Sequence, residues 1–491
     1  MNPVILWFRR NLRLHDNLAL CAAADTGRPV VPVYISDDLD AGGASCWWLH
    51  HSLRALDAAL REHGSGLVVR NGEPAEVLPE LVDATGAEAV YFSRRYEPQA
   101  RAQESSIEKA LDGRCEISGF RDGVIRHPDS VMTQSGTPYK VFTPFWKAAS
   151  APGEPEQPRS RPAQLDTTTA GLDSGNIDDL ELLPVGPDWA GGLRETWAPG
   201  EKGASERLDA ACAIAGDYDE HRDRPDLEGT SRLSPHLHFG ELSPRQVWHD
   251  VRSATAASGQ KGADALLRQL YWRDFSTYLL YHFPRLPDEP LREEFRQFPW
   301  TDDPEGLEAW QRGRTGYPIV DAGMRQLWAT GWMHNRVRMI VASFLVKDLL
   351  VPWQAGADWF RHAGRRGPRQ QLGQLAVGGR LWHGRSTLLP HLQPGAAGKE
   401  VRPDGGLRAP LGPPTGKAPG KTHPGTVEGE PRRAAVRQRD DRRGLPGTDR
   451  GSRSGPRPGA RGLPRDPQGK RLTSGGVAHG VSLLEFGAVR S

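Results

Sequence analysis

From residue 361 to the C-terminus the chain contains no Tyr, Ile, Met, Asn or Cys. Those 131 residues include 41 Gly and Pro and carry 25 Lys and Arg against 9 Asp and Glu, a net charge of +16. The first 360 residues hold 56 Gly and Pro, with 38 basic against 52 acidic side chains, a net charge of −14. The formal +2 of the whole chain is therefore a cancellation between two unlike polymers. A segment so rich in Gly and Pro, and without five residue types that cores use, buries too little apolar surface to offset chain entropy. Residues 361–491 are expected to be disordered, and packed structure is expected only before them.

A length of 491 residues allows roughly 2 to 4 domains. Hydrophobic residues, at 37%, suffice for a core. No apolar run approaches the ~20 residues of a membrane helix, the longest lying near Met339–Val346. The first residues, Met1 to Leu6, have no basic region before their apolar run, which argues against a secretory signal. Cys21, Cys46, Cys115 and Cys212 show neither metal-ligand nor redox-pair spacing, which suits a reducing cytoplasm and predicts no metal site.

In the first third, apolar runs alternate with helical patterns. Val4–Phe8, Pro29–Ile35, Gly66–Val69 and Ala89–Phe92 read as buried strands. Asn17–Ala24, Ser45–Glu62, Pro74–Thr85 and Gln99–Asp112 read as the helices between them. Such alternation predicts an α/β domain with a parallel, Rossmann-like sheet, whose ligands sit at the carboxyl ends of the strands. The first strand runs into Arg9, Arg10 and Arg13, with no Gly-rich phosphate loop, so an ordinary dinucleotide site is not indicated. Spacing alone favours a solvated, salt-bridged loop for these arginines. Residues 149–200 are rich in Pro, Gly, Ser, Thr and Asp without periodicity, and read as an interdomain connection wrapping the surface.

Residues 203–360 read as mostly helical. Between Ala263 and Phe283, apolar side chains recur with helical period. Two clusters interrupt the plain pattern. The first joins Tyr218 to Arg222 with the run Gly229-Thr230-Ser231-Arg232-Leu233-Ser234-Pro235. Hydroxyls and backbone amides beside a helix start suit phosphate oxygens, although an ordinary helix N-cap accounts for the same residues more simply. The second is Trp332 to Met339. There Arg336 and Arg338, two residues apart, project in different directions, one toward an internal anion and one toward an external anion, unless both are surface arginines.

These segments together resemble the photolyase/cryptochrome family of blue-light flavoproteins. The run Trp7-Phe8-Arg9-Arg10-Asn11-Leu12-Arg13-Leu14-His15-Asp16-Asn17 is similar to the opening of its antenna domain. Gly229–Ser234, Leu270–Phe275, Thr315–Ala322 and Gly331–Met339 are similar to its flavin domain. The nearest branch is the bacterial enzymes that repair cyclobutane pyrimidine dimers. The resemblance implies an antenna domain over 1–148, a linker over 149–202, and an all-α FAD-binding domain over 203–360 that is truncated. It implies FAD held by Tyr218, Thr230, Ser231, Arg232, Leu233 and Ser234, with Arg273, Asn335 and Arg338 also at the flavin. It places Arg222, Gln269, Trp272, Arg273, Asn335 and Arg336 toward damaged DNA and a flipped-out lesion, and Trp310 and Trp353 in an electron-transfer chain. A monomer acting on DNA is expected. The alternative within the family is a cryptochrome-like sensor that signals rather than catalyses.

Two departures matter. Many dimer-repair relatives carry Glu where this chain has Gln269, and an amide donates a hydrogen bond but transfers no proton. That implies slower repair or another lesion. Tyr91–Pro98 lacks the Asn usual in that region, so a second antenna chromophore is open between a folate and a deazaflavin.

The tail reads as a message in the wrong frame. Residues 370–378 can be written CAA CAA CTC GGC CAA CTG GCA GTG GGT. Shifted by one base, this encodes Asn-Asn-Ser-Ala-Asn-Trp-Gln-Trp, which resembles the family's flavin-proximal Asn-Asn-x-x-x-Trp-Gln-Trp. Residues 388–394 similarly yield Tyr-Phe-Arg-Ile-Phe-Asn-Pro, and two later segments follow in family order. A frameshift near Phe360–Arg361 is expected. It leaves a nonfunctional product as a third reading, and a native basic nucleic-acid tail as the alternative account of the composition.

Overall fold

A computed structural model describes residues 1–36, 42–184, 186 and 188–362. The tail beyond 362, with its expected disorder and frameshift, lies outside the described residues.

Five strands form one parallel sheet in the order β3-β2-β1-β4-β5. They are β1 (Val4–Phe8), β2 (Val30–Ser36), β3 (Val68–Asn71), β4 (Ala89–Ser93) and β5 (Glu116–Phe120). The crossovers are α1 (Leu18–Asp25), α2 (Gly43–Arg61), α3 (Pro74–Thr85) and α4 (Pro98–Ala110). β1 is the central strand and is buried along its whole length, which is why its sequence is continuously apolar rather than alternating. The fifth strand escapes the sequence pattern because Glu116-Ile117-Ser118-Gly119-Phe120 sits at the sheet edge, only part-buried.

The 149–200 segment is not a loose connection. α5 (Phe142–Ser150) ends where the segment begins, Thr168 N–H donates to the Val30 carbonyl (2.9 Å), and α6 (Gly191–Thr196) lies near its end. Leu165, Ile177, Leu182, Ala190, Leu193 and Trp197 are buried in the same apolar cluster as Val4, Leu6 and Trp48. Its irregular composition hides one apolar anchor every few residues, a spacing that no periodic template detects.

The rest is helical, as expected. The helices are α7 (Glu201–Ala213), α8 (Tyr218–His221), α9 (Ser234–Phe239), α10 (Pro244–Ala254), α11 (Gln260–His282), α12 (Pro304–Gln311), α13 (Pro318–Thr330), α14 (Asn335–Ser343) and α15 (Trp353–His362). Their shared core is lined by Leu266, Leu270, Phe275, Trp310, Val341 and Leu345. No helix among the described residues is long and apolar enough to cross a membrane.

The arginine turn after β1 joins sheet and helices, and corrects the expectation of a solvated loop. Arg13 is 2% exposed. It donates to the carbonyls of His15 (3.0 Å), Gly240 (2.9 Å) and Asp16 (2.7 Å) and to Asp122 (3.1 Å). Arg9 is buried against Glu104, over the Trp7 ring at 4.4 Å. Asp16, fully buried with φ +50°, accepts from Arg245 at 2.7 and 3.1 Å, from Ser243, and from the Arg159 amide at 2.9 Å. A second buried carboxylate, Glu241, accepts from Trp48 (3.0 Å), Gly200 N–H (2.7 Å) and Ser52, and lies 2.5 Å from His236 Nδ1. A Cβ at Gly240 would fall 2.0 Å from the Arg10 carbonyl, so only glycine permits this approach.

Candidate functional site

Three separate segments meet beside α8. Tyr218, the first residue of α8, is buried, and the Arg222 guanidinium lies 5.9 Å from its ring. Burial pushes the Tyr218 phenol above its usual range. Asp223 follows and is gripped by Arg336 from α14, through Nε at 2.8 Å and Nη2 at 2.5 Å, while Arg222 Nε lies at 3.3 Å. Burial raises the Asp223 carboxyl, but Arg336 and Arg222 more than offset it and hold it below its usual range. Two guanidinium groups thus share one carboxylate at a half-exposed edge.

The Thr-Ser-Arg-Leu-Ser loop packs against α8. A Cβ at Gly229 would fall 2.5 Å from His221 Cβ, so glycine sets this approach. The N-cap reading of the loop is corrected. The residue capping α9 is Leu233, with no side-chain capping bond. The hydroxyls of Thr230, Ser231 and Ser234 make no hydrogen bond among the described residues, and remain free for another partner. Arg232 takes the left-handed region, φ +53°, and lays its guanidinium 4.4 Å over Trp332. Its Nε is buried without a hydrogen bond, although Glu228 pairs with the other end.

On α14 the two arginines diverge as their spacing predicts. Arg336 is half-exposed on Asp223, whereas Arg338 is 6% exposed, with Phe360 at 5.9 Å. Burial pushes the Arg338 guanidinium down to about 9, so a pair of surface arginines is excluded. Asn335 is exposed at the first position of α14.

Other expected residues are held differently. Arg273 is part-buried and donates to the carbonyls of Gly123 (2.5 Å) and Leu237 (3.2 Å), which ties α11 to the loop after β5. The adjacent Asp274 accepts from the amides of Ile125 (3.0 Å) and Arg126 (2.8 Å), and burial pushes its carboxyl up to about 7. Trp272 is stacked on Phe142, with ring centres 3.5 Å apart and planes 8° off parallel. Gln269 turns its amide back onto its own helix, to the Ala265 carbonyl at 2.9 Å. Trp310 is fully enclosed and donates to the Val341 carbonyl (3.0 Å), and Trp353 is 2% exposed. Sequence reading passed over Trp300, a half-buried ring whose neighbour Thr301 donates to the Leu350 carbonyl (2.8 Å), three residues before Trp353. It also passed over His334, which caps α14. His334 lies in the Trp332–Met339 run, where Arg336 and Arg338 drew attention away from it.

Comparison with known proteins places the chain. Residues 4–163 match the family model for DNA photolyase, and residues 266–364 match that for the FAD binding domain of DNA photolyase. A deoxyribodipyrimidine photo-lyase of Agrobacterium fabrum is 44% identical over 364 residues, covering 73% of this chain and 76% of that protein. Cryptochrome-1 of Arabidopsis thaliana is 34% identical, covering 72% of this chain and 54% of that protein. Among solved structures, a bacterial class III photolyase from Agrobacterium tumefaciens has a TM-score of 0.74 at 41% identity, with 80% of each chain covered. An archaeal photolyase from Sulfolobus tokodaii, solved with two FAD molecules, has a TM-score of 0.65 at 29% identity, covering 79% of this chain and 82% of that one. The free hydroxyls, the close approach at Gly229 and the orphaned Arg232 Nε form a donor set that suits a flavin dinucleotide's phosphates. A parallel sheet carrying one matched segment and a helical bundle carrying the other, at such identity, make the chain a member of the DNA photolyase family with its FAD-binding domain.

Proposed function

We propose that the chain's function is light-driven repair of cyclobutane pyrimidine dimers in DNA, exercised when its C-terminal frame is restored. In this reading residues 1–148 are the antenna domain, 149–202 the linker, 203–360 the incomplete FAD domain and 361–491 the out-of-frame tail. The observation that carries it is the convergence of 218–223, 229–234 and 332–338 on one edge.

FAD, when bound and reduced, supplies the photoexcited electron that the dimer accepts and returns. The chain's own residues bind and orient. Thr230, Ser231, Ser234 and Arg232 hold phosphates, and Leu233 and Tyr218 close the pocket with apolar surface. Arg338 contributes fixed positive charge from a desolvated position, where it acts more strongly than in water. Arg273 keeps α11 in place through its two carbonyls. Arg222, Arg336 and Asn335 hold the DNA backbone, and a damaged pair costs less than an intact one to extrude. Trp272 offers an aromatic face to the extruded pyrimidines, and Gln269 donates to a carbonyl without transferring a proton. Trp353 and Trp310 are both enclosed, so an electron relay to solvent needs a more exposed ring, and Trp300 supplies it.

The family match ends at residue 364, close to the point where composition changes, which supports the frameshift. The test is to sequence codons 355–375, express the chain in one frame as a soluble cytoplasmic monomer, and irradiate it with damaged DNA. Retained flavin and light-dependent loss of dimers are expected, and no loss sinks the repair assignment. The Arabidopsis relatives and Gln269 favour a second reading, a signalling cryptochrome. Photoreduction without lesion affinity, and a partner bound only after illumination, would replace repair by it. A purified unrestored chain without flavin colour would identify it as a nonfunctional product.

A further inference from the structure

We propose that His334 is a positioning residue whose neutral imidazole caps α14 and fixes Asn335 and Arg336, and whose protonation releases them. The inference rests on the proposed reading of the first turn of α14 as a DNA-facing edge.

Helix N-caps are ordinarily Ser, Thr, Asp or Asn, whose oxygen accepts from the second or third amide of the helix. Here the acceptor is an imidazole nitrogen. His334 has extended backbone (φ −56°, ψ +136°), and its Nδ1 accepts the Arg336 amide at 3.1 Å. An accepting Nδ1 requires the ring proton on Nε2. That edge faces the Arg222 backbone without a well-formed hydrogen bond. The ring is 2% exposed and edge-on to Trp332 at 6.2 Å. Three charged groups act on it: Asp223 favours its protonation, while Arg336 and Arg232 oppose it. Burial holds the imidazole below its ordinary range, so the cap is complete at neutral pH.

Adding a proton to Nδ1 sets one N–H against another across the same 3.1 Å. The capping bond becomes a repulsion, and a third cation appears beside Arg336 and Arg232. Asn335 and Arg336 are the first two residues of α14 and move with this turn. The ion pair of Arg336 with Asp223 is half-exposed, and by itself does not hold the turn. Unlike the ordinary caps, this one can take up a proton, with burial moving that step to the acid side of the ordinary imidazole range.

The test compares the full chain, expressed in its restored frame, with His334→Asn, which keeps an accepting cap and cannot titrate, and with His334→Ala, which has no acceptor. Two quantities are read from about pH 7.5 to about pH 5. One is hydrogen-exchange protection of the Arg336 amide, corrected for intrinsic exchange. The other is affinity for an ultraviolet-irradiated duplex. The parent chain is expected to lose about fivefold in both as pH falls, the loss of one cap. His334→Asn should hold both nearly constant, and His334→Ala should be low throughout. If His334→Asn falls with pH like the parent, or His334→Ala matches the parent at neutral pH, the inference is overturned. If the exchange pattern is as expected but irradiated DNA is never bound, the cap stands and the repair reading fails instead.

Discussion

The arginine turn after β1 and the arginine-bearing first turns of α14 look alike in sequence, but their surroundings differ. Around Arg13 the chain supplies three carbonyls and Asp122, every contact buried but the part-buried one to His15. Around Arg222 and Arg336 it supplies one half-exposed carboxylate for two cations, beside three hydroxyls with no partner among the described residues. The first arrangement is saturated and serves to join sheet to helices. The second is part-exposed, and its guanidinium groups stay within reach of solvent. What separates architecture from recognition here is whether the fold itself supplies the acceptors.

The contrast is most easily broken at Asp16. Asp16→Ala leaves Arg245 buried without its carboxylate, a loss expected at about 3–5 kcal/mol. Thermal unfolding and soluble yield should both collapse, and a stable Asp16→Ala chain would show the clasp to be dispensable. Arg336→Ala should do the reverse. Its exposed pair contributes about 0–1 kcal/mol, so the melting temperature should barely move. Affinity for irradiated duplex should fall tenfold or more, because two charge-assisted contacts of about 1.5–3 kcal/mol are at stake. A large stability loss in Arg336→Ala would move it into the same class as Arg13.

Asp274 sharpens the comparison through pH. Its folded-state carboxyl titrates at about 7, above its ordinary value of 3.8, so the folded chain binds this proton more tightly than the unfolded one. The site's contribution to stability is therefore present at low pH and is lost as pH rises from about 4 to about 7. Asp274→Asn keeps an acceptor for the Ile125 and Arg126 amides and removes that slope. The variant should be the more stable of the two above neutral pH, as read from unfolding midpoints at several pH values. The smallest effect is expected at Glu228, whose side chain is 82% exposed beside Arg232. Glu228→Gln should change stability by less than about 0.5 kcal/mol and leave flavin absorbance alone.

Much of this contrast is legible in sequence, and the rest is hidden for physical reasons. The first four strands and their crossovers show as buried apolar runs between helical periods, and β1 and α3 are found to the residue. β5 is invisible because, unlike the edge strand β3 with its two buried valines, it is nowhere fully buried and carries no apolar run. The divergence of Arg336 from Arg338 follows from helical geometry alone. The burial of Arg13 does not, since its acceptors at Asp122 and Gly240 lie 109 and 227 residues away. A similar distance hides the sharing of Asp223 by Arg222 and Arg336, 113 residues apart on the Arg336 side. Periodicity reports which face of an element is buried. It is silent on which distant polar group will meet that face.

Asp16 finally bears on how the chain is made. Its partner Arg245 is 229 residues downstream. At roughly 5–20 residues per second, a ribosome needs about 10–45 s to deliver one after the other. Throughout that interval Asp16 lacks its Arg245 partner, and Arg13 still waits for the Gly240 carbonyl. The N-terminal domain therefore emerges unfinished at the surface it will later bury, and a pause or truncation before residue 245 exposes that surface to chaperones and proteases.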